Sequence, residues 1–465
     1  MENLKIILTL FKDTPDLIIR PISKRFFDIY VIYIETLCSG DRVNTYILNH
    51  LTLPGKRNQN IKKILTGPNF KNIDITEAEK YLCLGFCLIL DGDDIYAIET
   101  KAELDRSIDE AKVEPAIFGP KDAFVENYQK NIGLIKRRIK SRHLKIKEKT
   151  LGRYSQTTTG VIYLDNIVKE YLVKEILNKL NTIDTDSLTS SGELKQFLVD
   201  ENKNVFPAMK LSERPDTIVK SLLDGKVVIL VDNSPFAIIL PAVLADFINP
   251  TVDSYVNSLN TNFLKFLRII CFILTIVTPA VFIALTNYNP ETIPSELLMN
   301  IATQRRGIPF PAIFEAILML FVCELLRESD IRFPNAYGSA VSLLGALIIG
   351  ESAVSSGLVS PIMIIVIALT FITSLIFNEV EINGAVRAWR FIYLLFASFL
   401  GLYGLALAFI FMLINLCSYQ VYTLSYMFPV SPFDLSYLKE TLIKVKRKKQ
   451  NMRSKFLTDN IRKQV

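Results

Sequence analysis

Two histidines, His50 and His143, and a single tryptophan stand in 465 residues. So few imidazoles argue against a histidine-rich metal site and against a histidine proton relay. The six cysteines show no pairing logic. Cys83 and Cys87 are four apart, a helix-face spacing and not the CxxC of a redox or zinc pair, and Cys271, Cys323 and Cys417 fall within apolar runs. No GxxxxGK[ST] occurs, no GxGxxG follows a strand-like run, and GxSxG is missing. Phosphoryl transfer and hydrolysis are thus left without a site, and the chain reads as a non-enzyme with no cofactor and no metal. The opening "MENLKIILTLFKDTPD" is apolar for too short a stretch, and charged too soon, for a secretory signal. Nothing exports the first half, which is expected to stay in the cytosol.

What the chain does have is unevenly spread. Residues 1–262 mix charge with short apolar runs, residues 263–427 are mostly apolar, and residues 439–465 are polar and basic. That last stretch holds ten Lys/Arg and two acids, a charge of +8, which exceeds the +6 of the whole chain. A basic segment beside a membrane domain reads as cytoplasmic. Lys446, Arg447, Lys448 and Lys449 are expected at an anionic lipid surface, each basic residue contributing about 1 kcal/mol. The expected fold class is an α/β cytosolic region of two similar small lobes followed by an all-α multi-pass membrane domain. Its divisions are a first lobe at 1–117, a basic amphipathic helical connector at 118–150, a second lobe at 151–250, a multi-span helical domain at 251–433 and a basic cytosolic tail at 434–465.

The two lobes are read from an internal repeat. "VIYIETLCSGDRVNTYILNHL" (31–51) resembles "VIYLDNIVKEYLVKEILNKLN" (161–181), each a β-branched and aromatic run ending in an acid, then a helical pattern. "YLCLGFCLILDGDDIYAIE" (81–99) parallels "SLLDGKVVILVDNSPFAIIL" (221–240): a helix end, a glycine stop, a strand, a tight turn and a return strand. Asp91-Gly92 and Asp232-Asn233 supply the turn chemistry. In the connector, Val125, Ile132, Leu134, Ile135 and Ile139 alternate with Lys136, Arg137, Arg138, Lys140 and Arg142. This is a basic amphipathic helix whose charges form a solvated face, or a membrane-surface or acidic-partner contact at Lys136, Arg137, Arg138 and Lys140. Nucleic acid is disfavoured because no aromatic platform accompanies the charges.

Five apolar stretches are candidate spans: 263–285, 308–326, 337–359, 361–377 and 391–417. Cytosolic lobes and a cytosolic tail require an even number of crossings, so one candidate fails to cross or one is missing; four crossings are favoured. The segment 291–310 reads as an interfacial helix, and Glu324 beside Arg327 as an interfacial pair.

Four stretches in order, "GPKDAFVENYQKNIGLIKRRIK", "ERPDTIVKSLLDGKVVILVDNSPFAIILP", "NPETIPSELLMNIATQRRGIPFPAIFEA" and "GESAVSSGLVSP", resemble the A subunits of bacterial spore germinant receptors. The resemblance runs from about residue 28 to residue 433. Phe118 stands where that family usually has Arg, and Glu351 where it usually has Gln. The resemblance implies a multi-pass protein of the spore inner membrane, a cell membrane, with both terminal regions cytoplasmic. It implies a homo-oligomer, a pentamer, that works with a transporter-like B subunit and a lipoprotein C subunit. It further implies a nutrient-gated ion channel that releases monovalent cations at the start of germination. The alternatives are a non-conducting scaffold or signal-transducing subunit of the same complex and, last, a secondary transporter, which predicts inverted repeats absent from the membrane half.

On a helical wheel the stretch 337–359 divides. Gly338, Ser342, Ala346, Ile349, Ala353 and Ser356 form a small face, either a close packing surface or a pore wall. Ser342, Ala346, Ile349, Ala353 and Ser356 are therefore the candidate pore-lining residues. Glu351 points the opposite way among Leu344, Leu347, Ile348, Val354, Ser355 and Leu358, either as a protonated group that ties helices together, the favoured reading, or as a charged site at a water-filled cavity. Glu315, in another apolar run, is the candidate cation-attracting acid.

Overall fold

The computed structural model describes residues 2–23, 28–52, 65, 69–102, 111, 113–116, 118–199, 204–332, 338–377, 379–444, 453–460 and 462. The first lobe opens with helix α1 (Glu2–Leu10) and strands β1 (Leu17–Ser23) and β2 (Asp28–Ile34). A helical run α2 (40–52), strand β3 (Lys71–Ile73), helix α3 (Ala78–Cys83) and the hairpin β4 (Phe86–Asp91) and β5 (Asp94–Glu99) follow. The strand β2 is apolar on both sides because both faces of the sheet are covered. Ile32 and Ile34 meet α1 and α3 on one face, while Ile29, Val31 and Tyr33 meet α2 on the other.

The second lobe repeats this plan. Helix α4 (Tyr128–Arg138) leads into β6 (Leu144–Leu151), β7 (Thr157–Leu164), α5 (Glu170–Thr182) and α6 (Ser191–Leu198). Then come β8 (Lys210–Ser212), α7 (Pro215–Leu223), β9 (Val227–Val231) and β10 (Ala237–Leu240). The strand orders are β1-β2-β4-β5-β3 and β6-β7-β9-β10-β8, with antiparallel neighbours throughout. Even the register is shared: Val31 faces Ile89 in the first sheet and Val161 faces Ile229 in the second. Gly85 (φ +83°) and Gly225 (φ +93°) stop the equivalent helices, and Gly92 (φ +65°) and Asn233 (φ +63°) make the equivalent turns. Left-handed backbone is open to Gly and, at lower cost, to Asn.

Two expectations about charge are corrected. The connector is not one helix, because α4 ends at Arg138 and residues 144–151 form the edge strand β6. Nor do its cations share a free face. Lys136 is buried and pairs with Asp16, which also accepts from Thr36, so it joins the two lobes. Arg138 forks onto Asp122 at 2.6 and 2.7 Å. Arg137 and Lys140 alone of the four are exposed. The C-terminal tail also folds: Leu457 is buried with Val243, Leu424 and Phe428, and Thr458 bridges Val168. Lys446, Arg447, Lys448 and Lys449 lie outside the described residues.

A helical bundle follows: α8 (Ser258–Asn287), α9 (Ser295–Arg305), α10 (Ala312–Arg332), α11 (Gly338–Ser355), α12 (Pro361–Ser374) and α13 (Val380–Ser418). Of these, α8 and α13 are long and apolar enough to cross a membrane, and α12 is a shorter apolar helix. The core of the second lobe runs unbroken into the bundle, from Val161 and Ile229 through Phe206 to Trp389 and Ile276.

The last candidate span is not one rod. Gly401 (φ 59°, ψ −137°) leaves helical geometry inside α13. On a straight helix Tyr393 and Met412 would stand about 28 Å apart. Here the Tyr393 hydroxyl is 3.8 Å from the Met412 sulfur, and the rings of Trp389 and Phe411 are 5.7 Å apart. The arms 380–400 and 402–418 therefore lie antiparallel, with the bend at Gly401 and Gly404. Both open ends meet the second lobe: Glu379 pairs with Lys210, Glu381 with Lys195, and Asn415 accepts from Asn204 at 3.1 Å. At the tip Tyr288, at the far end of α8, donates to the Ser398 carbonyl.

Candidate functional site

Helix α11 lies at the edge of the bundle. Its described inner residues are few: Ala353 packs with the cluster of Met363, Ala312 and Ile283, and Val354 is half-buried. Ile348, Ile349, Glu351, Ser352, Ser355 and Ser356 are all exposed. At 100° per residue these six share one outward face. The expected division is therefore corrected. Glu351 ties to no other helix among the described residues; it stands on the outward face with three serines. Ala353 is half-buried against that cluster, at the border of the exposed arc beside Ile349 and Ser356. The side chains of Ser342 and Ala346 lie outside the described part of α11.

The segment "GLVSP" ends the helix. The Leu358 amide donates to the Ala353 carbonyl at 3.0 Å and Gly357 to Val354 at 3.0 Å, with Gly357 at φ +69°. This is the double cap that a left-handed glycine allows. Ser360 then precedes Pro361, the first residue of α12. Glu315 is fully buried and accepts from the Ser360 amide (2.9 Å) and hydroxyl (2.8 Å), with Arg305 at 3.5 Å. Glu315 thus holds the start of α12 and has no open approach for a passing cation, which corrects its expected role.

The second lobe grips the bundle through ion pairs that sequence reasoning missed. Lys210 reaches Glu379 at 2.5 Å, and Lys195 reaches both Glu381 and the Met209 carbonyl. Burial drives the Lys210 ammonium down, but Glu379 and Glu114 outweigh it and hold it above its ordinary value. Burial raises Glu379 against the pull of Lys210. No periodic signal marks these residues, because each is one charge in a loop or at an element end.

The motifs "GPKD" and "ERPD" meet in the same lobe. Arg214 is buried and donates to the carbonyls of Glu114 (3.1 Å) and Pro120 (3.2 Å), and to both oxygens of Asp216 (3.0 and 2.8 Å). Tyr255 donates to Asp216 at 2.7 Å and lies on Gly119, where a Cβ would come within 2.7 Å of its ring. Phe118 is exposed and carries no charge of its own. Glu324 pairs with Arg327 at 3.6 Å, as expected, and also with Arg387 and Arg390 at 3.0 Å each.

Residues 5–456 match the family model described as Bacillus/Clostridium GerA spore germination protein. Spore germination protein KA of Bacillus subtilis (strain 168) is 38% identical over 366 residues, 78% of this chain and 67% of that protein. GerLA of Bacillus cereus is 32% identical over 438 residues, covering 92% and 89%. The crystal structure of the N-terminal domain of the A subunit of the Bacillus megaterium spore germinant receptor GerK3 matches 52% of this chain and 94% of its own, at 25% identity and a TM-score of 0.40.

Proposed function

Because the chain belongs to the GerA family of spore germination proteins, we propose that it is the A subunit of a nutrient germinant receptor in the spore inner membrane. In this reading it forms an oligomeric, nutrient-gated channel for monovalent cations, with α11 lining the pore. A pentameric ring would be completed by a transporter-like B subunit and a lipoprotein C subunit. The directions of the helices support a membrane bundle with both ends on one side. Along the chain α8 leaves the second lobe, α10 returns, α11 leaves and α12 returns, as the pairs Thr275–Thr373, Glu315–Ser360 and Arg327–Ser374 require. The hairpin α13 starts and ends at the lobe, so it adds an even number of passages. In this reading four crossings plus the hairpin make the number of passages even. Exposed Phe263, Phe314, Phe321, Ile365, Ile372, Phe399 and Ile414 on the bundle helices suit a lipid surface.

The observation that carries the pore is the outward face of α11. An acid and three serines at the edge of an apolar bundle need water or a partner, since lipid satisfies neither. A ring of copies turned on this face supplies both. The test uses the full chain, reconstituted in liposomes with the other receptor subunits, with exposed Cys417 replaced by Ser. Single cysteines at Ile349, Ser356, Ala353 and Ile365 are treated with a charged thiol reagent while cation efflux is recorded. Block is expected at 349 and 356 and not at 353 or 365. Equal effects at all four positions overturn the pore assignment, and a receptor that never conducts leaves the scaffold reading.

A further inference from the structure

We propose that Arg327, Arg387 and Arg390 form a binding site for the phosphate of an anionic lipid headgroup at the lobe-side border of the bundle. The proposal rests on the reading of the bundle as membrane-embedded. Two helices bring the guanidinium groups together: Arg327 from α10, and Arg387 and Arg390 from the first arm of α13. One carboxylate serves all three. Arg390 takes one oxygen of Glu324 at 3.0 Å, while Arg387 (3.0 Å) and Arg327 (3.6 Å) share the other. The charges that act on Arg390 are Glu324 on one side and Arg327 and Arg387 on the other. Arg327 also donates to the Ser374 hydroxyl at 2.5 Å and stacks on Phe371 at 5.3 Å, which fixes its direction without neutralising it.

The cluster therefore has more positive charge than its partner removes. Arg390 is buried, at 3% exposure, and the Nε atoms of both Arg387 and Arg390 are buried with no hydrogen-bond partner among the described residues. Unpartnered guanidinium N–H groups in an apolar bundle are costly unless an anion takes them. The fork of a guanidinium matches phosphate oxygens. The place is right for a headgroup. Trp389, between Arg387 and Arg390 in sequence, stacks on Phe206 of the second lobe, with ring centroids 6.5 Å apart, so the cluster lies where lobe and bundle meet. The side chain of Arg387 is 39% exposed and gives the site an opening. Basic pockets between helices on the cytoplasmic side take anionic headgroups by this chemistry.

The test uses the full chain in nanodiscs of phosphatidylcholine with rising phosphatidylglycerol. Retained lipids are counted by native mass spectrometry, and the single tryptophan, Trp389, reports binding by its emission. Wild type is expected to retain phosphatidylglycerol in preference to phosphatidylcholine. Arg387→Gln, at a half-exposed position, is expected to weaken that preference about fivefold, and Glu324→Gln to strengthen it by a similar factor. No headgroup preference, or a preference that Arg387→Gln leaves unchanged, overturns the site. Displacement of the lipid by excess inorganic phosphate overturns the lipid as the source and assigns a soluble anion. Alkaline carbonate extraction separates the two readings. A chain stripped from membranes overturns the membrane reading, whereas an integral chain without headgroup preference overturns the site alone.

Discussion

At the scale of single residues the chain concentrates charge where it is buried and bonded, and Arg214 and Glu351 are the two extremes. Arg214 satisfies two loop carbonyls and both oxygens of Asp216, so it knots the 114–122 segment to the start of α7. Arg214→Ala leaves Asp216 buried without its cation and is expected to cost about 3–5 kcal/mol. The measurement is the thermal midpoint of the full chain, with Arg214→Lys intermediate because it lacks the fork. Burial pushes Asp216 upward, but Arg214 and Tyr255 prevail and set it below the ordinary aspartate value. A depressed carboxylate stabilises the fold above its unfolded value. That contribution holds at neutral pH and is lost as pH falls below about 4, through the folded value. The acid limb of the stability profile should therefore flatten in Arg214→Ala. Glu351, by contrast, is exposed on α11. Glu351→Gln is expected to lower cation selectivity in reconstituted receptors with assembly intact. Unchanged selectivity would place this face against another protein surface and not against water.

At the scale of elements the repeat and its hairpins were legible because their chemistry is local. Asp91-Gly92 and Asp232-Asn233 announce turns, and the flanking β-branched runs announce strands. The edge strand β6, "LKIKEKTL", passes for part of a basic helix, because Lys145, Lys147 and Lys149 continue the basic run of 136–142. The wheel of α11 gave the angles between residues correctly, but angles do not say which side meets the neighbour; only packing does. The α13 hairpin was hidden for another reason. An apolar run of 27 residues passes for one span, and Gly401 and Gly404 are ordinary residues in membrane helices. Their necessity is visible only in three dimensions. A Cβ on Gly404 would lie 2.1 Å from the Phe396 carbonyl, and one on Gly401 would lie 2.7 Å from Tyr288. The hairpin makes a direct prediction. Cysteines replacing Tyr393 and Met412 should cross-link within one chain, and adding Gly404→Leu should abolish the link. A continuous helix would give no link in either background.

At the scale of the whole molecule one difference between the two lobes closes the chain on itself. In the first lobe the segment after β5 returns along the sheet: Cys38 bridges Lys101, the Ser39 amide donates to the Thr100 carbonyl at 2.7 Å, and Ala102 donates to Leu37 at 2.9 Å. In the second lobe the chain after β10 departs for the bundle, and the equivalent place is empty of it. The C-terminal tail fills that place. Val168, the counterpart of Cys38, bridges Thr458, whose hydroxyl donates to the Ile167 carbonyl, and Asn460 donates to Asn166 at 3.3 Å. The glycines agree: a Cβ on Gly85 would lie 3.0 Å from Lys101, and one on Gly225 would lie 2.9 Å from the Leu457 carbonyl. Leu457, Thr458 and Asn460 form no periodic pattern that would signal this. The fold thus spends its terminus on finishing a lobe that the bundle interrupts, with Leu457 packed on Val243 before the bundle and on Leu424 and Phe428 after it. Leu457→Ala should then cost about 2–5 kcal/mol as a buried truncation. Deleting 453–465 should lower the thermal midpoint further and raise amide exchange along β7 and β9. A synthetic 453–465 peptide added in trans should restore both. A deletion that leaves the midpoint and exchange unchanged would show that the second lobe is complete without its tail.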